Sequence, residues 1–535
     1  MSSIYHLGAP GALLLLALWG GTKLVAYAQR GPRSTKLNGP PSTSRILGLS
    51  RELVQTSDMS AVYEEWAARY GPAYEVPLAF GAKKIVLTDP KALAHFYQSE
   101  RSVYVKTEND RLFIDKIFGR GIVWAEGDVH KRQRKALTPG FSNAAIRRLT
   151  SVFYDSTYKL KTLWDTMLET TSDGGIIEVQ EWMNRIALDS IGIAGFSHDF
   201  HYLDGQNSAV TAAFKALQIA ETSFLSKLMF ILSLTFPFLM NIPTPRMRLF
   251  WELRRSLNVI AERLYANTRS EKDGDVAEEL TDQSVIGLLL KAEVSDAEVY
   301  MTQEEVVAQI NVLLLAGYET TSVGLTWALI ELAKHPEIQD ELRKELAQFG
   351  SGDPSWDQLV SELPFLDAVV LEVLRVHPPI PETLREAIQD DIIPLGTPVV
   401  TPSGEVISSI AVAKGSAVLA PIRCINRSEA LWGPDAKEFK PERWVEVKKE
   451  MKLPAKELQG HHHLLTFHDG PRTCLGKLFA LAEFKAALSV LVRNFVFEFP
   501  DGPETQLETH MAIVPRPKVV GQTGAKVPLR VRRAE

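Results

Sequence analysis

The amino-acid sequence predicts a mainly α-helical fold that carries a few small β-sheets. Three observations support this prediction. Apolar residues recur at helical spacing through the middle of the chain, from about Thr150 to Leu346. Alternating segments typical of strands occur near the start of the folded body and again late in the chain. The composition, with 45% hydrophobic and 23% charged residues, provides ample material for a large core.

The first element is an apolar run from Gly8 to Ala28, broken by Thr22 and Lys23. Its length is close to the ~20 residues that a membrane-spanning helix needs. The basic residues that follow it place the rest of the chain on the cytoplasmic side. A cleaved signal peptide is the alternative, because Ala26-Tyr27-Ala28 resembles a cleavage site. No basic region precedes the long run, so we expect an uncleaved single-pass anchor over residues 1–30.

A Pro-rich hinge and lead-in is expected over residues 31–58, where the sequence Asn38-Gly39-Pro40-Pro41 is too stiff for a helix. The folded body, residues 59–535, opens with a short helix that ends at Gly71-Pro72. A strand pair follows over 74–80 and 83–87. Later strands are expected over two further segments, 405–412 and 495–499.

A long apolar helix is predicted from Thr302 to about Ala333. Thr302 and Glu305 form a capping box at its start, and Pro336 closes it. Inside it lies the segment Ala-Gly-Tyr-Glu-Thr-Thr, residues 316–321. A glycine, an acid and two threonines are unfavourable inside an otherwise apolar helix, which indicates a chemical role. A buried helix with a tolerated glycine is the alternative.

One of the two cysteines, Cys474, lies in the Gly/Pro-rich sequence 467–476, directly before an apolar helix-forming run from Lys477 to Val492. A thiolate at this position would be stabilised by the helix dipole and by free backbone N–H groups. Arg472 is a fixed cation suited to a carboxylate. A lone cysteine is more often a small buried hydrophobe. A thiolate, a glycine-rich loop whose backbone can approach a ligand closely, and an arginine are together typical of a site for a metal macrocycle that carries acid groups.

Two pairs of residues at helical spacing are weaker signals. His130 and Arg134 are four apart and share a helical face, for which a solvated basic face is the alternative. Glu372 and Arg375 are three apart on another helix. Such a pair carries little information on its own, because surface ion pairs are common and contribute little.

The pattern Phe-x-x-Gly-x-Arg-x-Cys-x-Gly, from Phe467 to Gly476, resembles the haem-binding loop of the cytochrome P450 family in full. The resemblance implies that Cys474 is the axial thiolate ligand of haem iron and that Arg472 bonds a haem propionate. It also implies that Phe467 packs beside the sulfur. Gly470 and Gly476 are the two glycines of this loop, and they let the backbone turn and approach closely.

The segment 316–321 resembles the oxygen-activation motif of the same family. The resemblance implies that Ala316 and Gly317 leave room over the iron for dioxygen. It also implies that Glu319 and Thr320 deliver the protons that O–O cleavage needs in a dry pocket.

Further positions match the family at sites around the haem. His130 and Arg134 stand where the family commonly has Trp-x-x-x-Arg in contact with a propionate, so this chain departs from the pattern at the aromatic residue. Arg385 aligns with a position that often reaches a propionate. The structural triad of the family is matched by Glu372, Arg375 and Arg443.

These motifs occur in the family's order over most of the chain. The resemblance implies a cytochrome P450 fold preceded by one N-terminal transmembrane helix, and a haem b monooxygenase of fungal microsomal type. Such an enzyme inserts one oxygen atom from O2 into a lipophilic substrate by hydroxylation or epoxidation. Its electrons come from NADPH through a cytochrome P450 reductase. We expect an endoplasmic reticulum membrane location with the catalytic domain in the cytoplasm.

The substrate class follows from apolar segments that are expected to line the pocket, around 103–118, 217–230 and 380–383. They favour a terpenoid or related secondary metabolite. A second apolar run, 224–240, is expected to dip into the membrane at the substrate entrance instead of spanning it. The net charge of −6 gives no basic field for nucleic acid.

Two alternative functions remain open from the sequence. One is a haem-thiolate isomerase or peroxide-dependent enzyme, and the other is a non-catalytic haem sensor. Glu319 and Thr320 argue against both, because neither function needs a proton relay.

Overall fold

The computed structural model describes most of residues 33–534; the positions it leaves undescribed there are 57, 170–172, most of 220–235, 273–284, 295–298, 351 and 446–454. The predicted anchor and about half of the second apolar run, 224–240, therefore lie outside the described residues. The described part is mostly helical with small β-sheets, which confirms the predicted fold class.

In chain order the described helices are α1 (Ser50–Gln55), α2 (Met59–Tyr70), α3 (Pro90–Gln98), α4 (Glu108–Phe118), α5 (Gly127–Leu137), α6 (Asn143–Leu168), α7 (Val179–Phe196), α8 (Ala209–Ile219), α9 (Pro245–Lys272), α10 (Val285–Val294), α11 (Gln303–Lys334), α12 (Pro336–Leu346), α13 (Trp356–Ser361), α14 (Pro364–Val376), α15 (Ile422–Asn426), α16 (Glu429–Trp432) and α17 (Lys477–Asn494).

The described strands are β1 (Ala73–Pro77), β2 (Lys83–Leu87), β3 (Tyr104–Val105), β4 (Gly175–Glu178), β5 (Thr383–Ala387), β6 (Asp391–Val400), β7 (Val406–Val412), β8 (Ala417–Ala420), β9 (Phe495–Glu498), β10 (Leu507–His510), β11 (Arg516–Val519) and β12 (Pro528–Arg533).

The chain divides into two compact units. The smaller unit contains the described residues of 1–55, 61–107 and 383–421. Its main sheet has five strands in the order β1-β2-β8-β5-β3, and β6 and β7 form a separate antiparallel hairpin. The predicted strand over 74–80 ends early, at Pro77, because residues 79–81 form a 3₁₀ turn in which Phe80 has a φ of 56°.

The larger unit contains residues 56–60, 108–382 and the described part of 422–535. Two small sheets belong to it, one of three strands in the order β4-β12-β9 and one formed by the hairpin β10–β11. The described part of the middle of the chain is mostly helical, as predicted, and includes the short strand β4.

The long helix α11 is the central element of this larger unit. The predicted capping box is present: the Glu305 N–H donates to the Thr302 hydroxyl at 3.2 Å, and the Thr302 N–H donates to the Glu305 carboxylate at 3.0 Å. Within the described residues, α11 is the one helix with the length and composition to cross a membrane, yet 78% of its most apolar window is buried in the protein. It packs against α7 and α17 and is a core helix.

Candidate functional site

The Cys474 loop is closed by its own backbone. The Cys474 N–H donates to the Phe467 carbonyl at 2.8 Å, and Phe467 itself is buried. Gly470 has a φ of 63°, a conformation that favours glycine. Gly476 is the N-cap residue of α17, and a Cβ added there would meet no atom closer than Phe141 Cε1 at 3.8 Å. The loop therefore brings the thiol to the first turn of α17, as predicted, and a side chain at position 476 would lie in ordinary van der Waals contact with Phe141.

The Cys474 thiol is accessible although it is deeply set in the protein. Its side chain has exposed surface, whereas burial raises its pKa. The backbone N–H of Gly476 and the cations Arg134 and Lys477 lower the pKa of the same thiol. We infer that the sulfur faces an internal space lined by groups that favour its thiolate, which is what an axial metal ligand requires.

A second opening lies along α11. Ala316 is exposed and Gly317 and Thr320 are half-buried, whereas the flanking residues Leu315 and Tyr318 are buried in the core. Ala316 and Thr320 are four residues apart, so they share one face of the helix, and their exposure indicates accessible space beside that face. The accessible thiol, its two cations and this face of α11 fit a haem group, with acid groups that arginine can bind.

Thr320 and Glu319 are neighbours in the chain but have different partners. The Thr320 hydroxyl donates to the Ala316 carbonyl at 2.7 Å. Its oxygen lone pairs can therefore still accept a hydrogen bond from a group on the exposed face of the helix. The Glu319 carboxylate is buried, and its Oε2 lies 2.8 Å from Nη2 of Arg516, on β11. Arg516 also donates to Asn184 Oδ1 at 2.9 Å. Sequence reasoning missed Arg516, because it belongs to no motif.

Gly317 is required by helix packing. A Cβ built on it would lie 2.7 Å from Cγ1 and 3.0 Å from Cδ1 of Ile191, on α7. The missing side chain therefore makes room for Ile191. That Ala316 and Gly317 leave room for dioxygen over the iron stays a prediction. Ala316, the exposed neighbour, is the residue that borders open space.

Gly317→Ala is expected to destabilise the fold by about 1–3 kcal/mol, because Ile191 must shift in a packed core. Denaturant unfolding measures the loss. Gly195→Ala is the matched control on α7, where the nearest atom to an added Cβ is at 3.4 Å, and it should be close to neutral. If Ile191→Ala does not reduce the cost of Gly317→Ala in the double variant, the steric explanation fails.

The helix α5 brings His130 and Arg134 into the same unit as Cys474. His130 is buried. Burial lowers the pKa of the Arg134 guanidinium, and the charge of Cys474 raises it, which places Arg134 within electrostatic reach of the thiol. Arg472 donates twice to the Ala125 carbonyl, at 3.2 Å each, and forms an ion pair with Glu126. That Arg134 and Arg472 contact a haem propionate stays a prediction.

The predicted structural triad assembles around Glu372. Arg375 makes two hydrogen bonds of 2.8 Å to its carboxylate, and both side chains are completely buried. Arg443 Nε lies 3.6 Å from the same carboxylate, and Trp444 Nε1 donates to it at 2.8 Å. Removing one partner would leave a buried charge uncompensated, which typically costs about 3–5 kcal/mol. The triad therefore holds the segment before the Cys474 loop in place.

Arg385 belongs to the smaller unit. It lies on β5, and its Nε is 2.7 Å from Oε1 of the completely buried Glu100. Its predicted contact with a haem propionate stays a prediction.

Glu483, nine residues beyond Cys474 on α17, is a completely buried carboxyl group. Burial raises its pKa well above 4.5, and the hydroxyls of Ser190 and Thr321 lower it in part. Neither hydroxyl reaches hydrogen-bond geometry with it. An acid at a core position of an apolar helix was a signal in the sequence that our motif reasoning did not use.

Glu483→Gln is expected to stabilise the protein at neutral and alkaline pH. The pKa of Glu483 is raised in the folded state. The unmodified protein therefore has its full stability below about pH 4.5, where Glu483 is protonated in both the folded and the unfolded state, and it loses free energy of unfolding as the pH rises toward the folded-state pKa. The stability of the variant relative to the unmodified protein should therefore increase by about 1.4 kcal/mol per pH unit in that window. Unfolding at several pH values tests this, with exposed Glu442→Gln as control; equal pH slopes for both variants would refute it.

Comparisons with known proteins find a matching family and similar proteins over most or all of the chain. The family model for cytochrome P450 matches residues 39–520. Two proteins of Ampulloclitocybe clavipes, cytochrome P450 monooxygenases claQ and claP, are 55% and 56% identical over 100% of both chains. Cytochrome P450 monooxygenase 128 of Postia placenta is 34% identical over 93% of this chain and 92% of its own.

Proposed function

The chain belongs to the cytochrome P450 family and is a P450 monooxygenase, and on that premise we propose that it oxidises a lipophilic small molecule at a haem b bound by Cys474. The product carries one oxygen atom of O2, by hydroxylation or epoxidation. The observation that carries the proposal is the accessible, deeply set thiol at the start of α17, with Arg134 and Lys477 acting on its charge.

The residues of this chain have separable tasks. When bound, the haem supplies the redox chemistry that activates dioxygen. Cys474 would hold the iron through its thiolate, and Arg472 and Arg134 would hold the acid groups of the macrocycle. Thr320, whose own proton is donated to the helix, accepts from a water and orients it. Glu319 is the acid from which a proton can be drawn.

A terpenoid or related secondary metabolite is the substrate class that we propose. Apolar packing beside the oxygen-activation segment supports it: Phe214 packs against Tyr318 with ring centroids 4.4 Å apart and ring planes tilted by 31°, and Ile191 fills the space at Gly317. A pocket with such surroundings binds its ligand by burying apolar surface and fixes its orientation with few polar groups.

We propose NADPH–cytochrome P450 reductase as the electron donor, docking on the exposed lysines of α5. Lys131 and Lys135 are exposed on that helix. Arg132, on the same helix, pairs with Glu305 at 2.6 Å. Reversing both lysine charges should slow reduction more at low salt than at high salt. If the reduction rate falls equally at low and high salt, the reductase does not dock on these lysines.

For residues 1–30 we propose a retained membrane anchor in the endoplasmic reticulum. Support comes from the length of the apolar run and from the basic residues after it. N-terminal sequencing of the microsomal protein decides between an anchor and a cleaved leader, since a mature start after Ala28 would exclude the anchor.

The proposed function is tested by NADPH oxidation in the presence of purified protein, reductase and a panel of lipophilic substrates under O2. We expect substrate-dependent NADPH use with one labelled oxygen atom from ¹⁸O₂ in the product. An isomerase would convert substrate without NADPH, a peroxide-dependent enzyme would need added peroxide, and a sensor would form no product.

A further inference from the structure

A surface cavity between α4 and α9 has a mostly cationic lining. Its volume is about 520 Å³, which lies in the range of small-molecule binding sites. Lys116, Arg254 and Arg255 line it, and Glu262 is the one acid among the described residues that do so. Three cations and one acid give the lining a net charge of +2, although the whole chain carries −6. The cavity therefore favours a negatively charged ligand.

Two of these cations are held in place by neutral oxygen atoms. Arg254 Nη1 donates to the carbonyls of Asp115 and Lys116, at 2.7 and 3.0 Å, in the last turn of α4. Lys116 Nζ donates to Asn241 Oδ1. The nearby carboxylate of Asp115 pairs with Arg120 at 3.3 Å instead of with a cation of the cavity. No carboxylate of the described residues thus neutralises Lys116 or Arg254 by an ion pair, and their charge remains available to a ligand.

Arg255 stands between two exposed apolar side chains. It is itself exposed, and it makes no ion pair within the part of the chain that the structure describes. Trp251 and Val259 lie one helical turn before and after it on the same face of α9, and they are 37% and 61% exposed. An inorganic anion would use the cations alone. An acid group on an apolar body would use the whole surface, because its body can cover Trp251 and Val259.

The cavity adjoins the core helix α11. Asn258 lines the cavity, and its Oδ1 accepts a hydrogen bond of 2.6 Å from Nδ2 of Asn311, which is 1% exposed. The amide nitrogen of Asn258 is thereby left to donate to a ligand. Asn311 precedes Ala316 on α11 by five residues, which is about 7.5 Å along the helix axis. The cavity is therefore close, along this helix, to the oxygen-activation segment.

We propose that this cavity binds an acid group of the substrate, so that the substrate is a lipophilic organic acid whose carboxylate is held by Lys116 and Arg255. The inference rests on the proposed function and narrows its substrate class. Arg254 adds positive charge while it joins α9 to the end of α4. The apolar body of the substrate packs on Trp251. An uncharged molecule with the same skeleton keeps this apolar contact and loses the contact with the cations.

Calorimetric binding of two matched ligand pairs to the haem-loaded protein tests the inference without turnover. Farnesoic acid is compared with farnesol, and dodecanoic acid with dodecanol, because the members of each pair share a carbon skeleton. We expect the acid to bind at least about fivefold more tightly than the alcohol at low salt, since the alcohol forms no charge-assisted hydrogen bonds with the cations. High salt should reduce this preference. No preference for the acid in either pair would overturn the inference.

Charge-removing variants locate the preference on the protein. Lys116→Gln/Arg255→Gln should reduce the preference for the acid to less than about twofold, because both partners of the carboxylate are removed. Arg263→Gln is the matched control, since Arg263 is exposed on α9 and does not line the cavity. It removes a positive charge as well and should leave the preference unchanged. If the control lowers the preference as much as the double variant does, the overall charge is responsible and the inference fails.

Turnover with reductase separates this inference from the proposed function. If the preference for acids depends on Lys116 and Arg255 but no lipophilic compound supports NADPH use or product formation, the proposed function has failed and the cavity remains a site for organic acids. If acid and alcohol are oxidised with equal kcat/KM, and the double variant changes neither value, the proposed function stands and the inference is overturned.

Anionic phospholipid headgroups are the alternative occupant, because α9 follows the apolar run 224–240 that we expect to dip into the membrane. Cosedimentation with phosphatidylcholine vesicles, with and without phosphatidylserine, tests this alternative. If Lys116→Gln/Arg255→Gln loses binding to the phosphatidylserine vesicles while its preference for both acids is unchanged, the cavity binds lipid and the inference is wrong. Loss of the preference for the acids supports the inference whatever the vesicles show.

Discussion

Replacing Cys474 with alanine is expected to abolish the red-shifted Soret band of the reduced, CO-treated protein, together with all product formation. The thiol lies at the start of α17, where burial raises its pKa and the Gly476 N–H and two cations offset part of that rise. Alanine offers no ligand atom, so no thiolate signature can form. Absorption spectroscopy of the dithionite-reduced protein measures the effect directly.

Cys424→Ala is the matched control, because Cys424 is the other cysteine of the chain and is buried in α15. It should keep the band, since its sulfur packs as a small apolar group. Circular dichroism should show native helix content in both variants. If Cys474→Ala retained the red-shifted band, or if Cys424→Ala lost it, the assignment of the ligand would be wrong.

Thr320→Ala is expected to reduce product formation by at least about tenfold, the lower part of the range for a positioned proton transfer. The hydroxyl donates to the Ala316 carbonyl and keeps lone pairs for a water on the open side. Without it the water is no longer oriented. NADPH use should fall less than product formation, and the missing electrons should appear as hydrogen peroxide. Parallel assays of NADPH, product and peroxide measure the coupling, which is the fraction of the electrons from NADPH that is used to form product.

Two controls isolate the hydroxyl of Thr320. Thr320→Ser keeps the hydroxyl and should keep most of the coupling. Thr321→Ala makes the same change one residue later, at a buried side chain that adjoins Glu483 on α17, and should leave the coupling near that of the unmodified protein. Wild-type coupling in Thr320→Ala would mean that protons reach the site by another route.

The parts that could be predicted from the sequence are those whose signal is local. The capping box of α11 lies within four residues, and the Cys474 loop within ten, so their spacing already determines their geometry. The triad of Glu372, Arg375 and Arg443 was available through the family resemblance, because each member belongs to a short motif.

The parts that could not be predicted depend on partners far apart in the chain. Nothing near Glu319 indicates that Arg516 pairs with it, and nothing near Arg472 indicates Glu126. Gly317 was interpreted through its motif, whereas its neighbour Ile191 belongs to a different helix. The early end of β1 at Pro77 reflects the backbone of Phe80, whose positive φ is unusual for a bulky side chain.

The three-stranded sheet β4-β12-β9 has a consequence for producing the protein in a heterologous host. Its middle strand is formed by residues 528–533, whereas β4 comes from residues 175–178. Until the ribosome has translated the middle strand, β4 has an unpaired edge, which is a template for aggregation. We therefore expect soluble yield to depend on translation speed and chaperone supply between these two segments, so slower expression at low temperature with added chaperones should increase it.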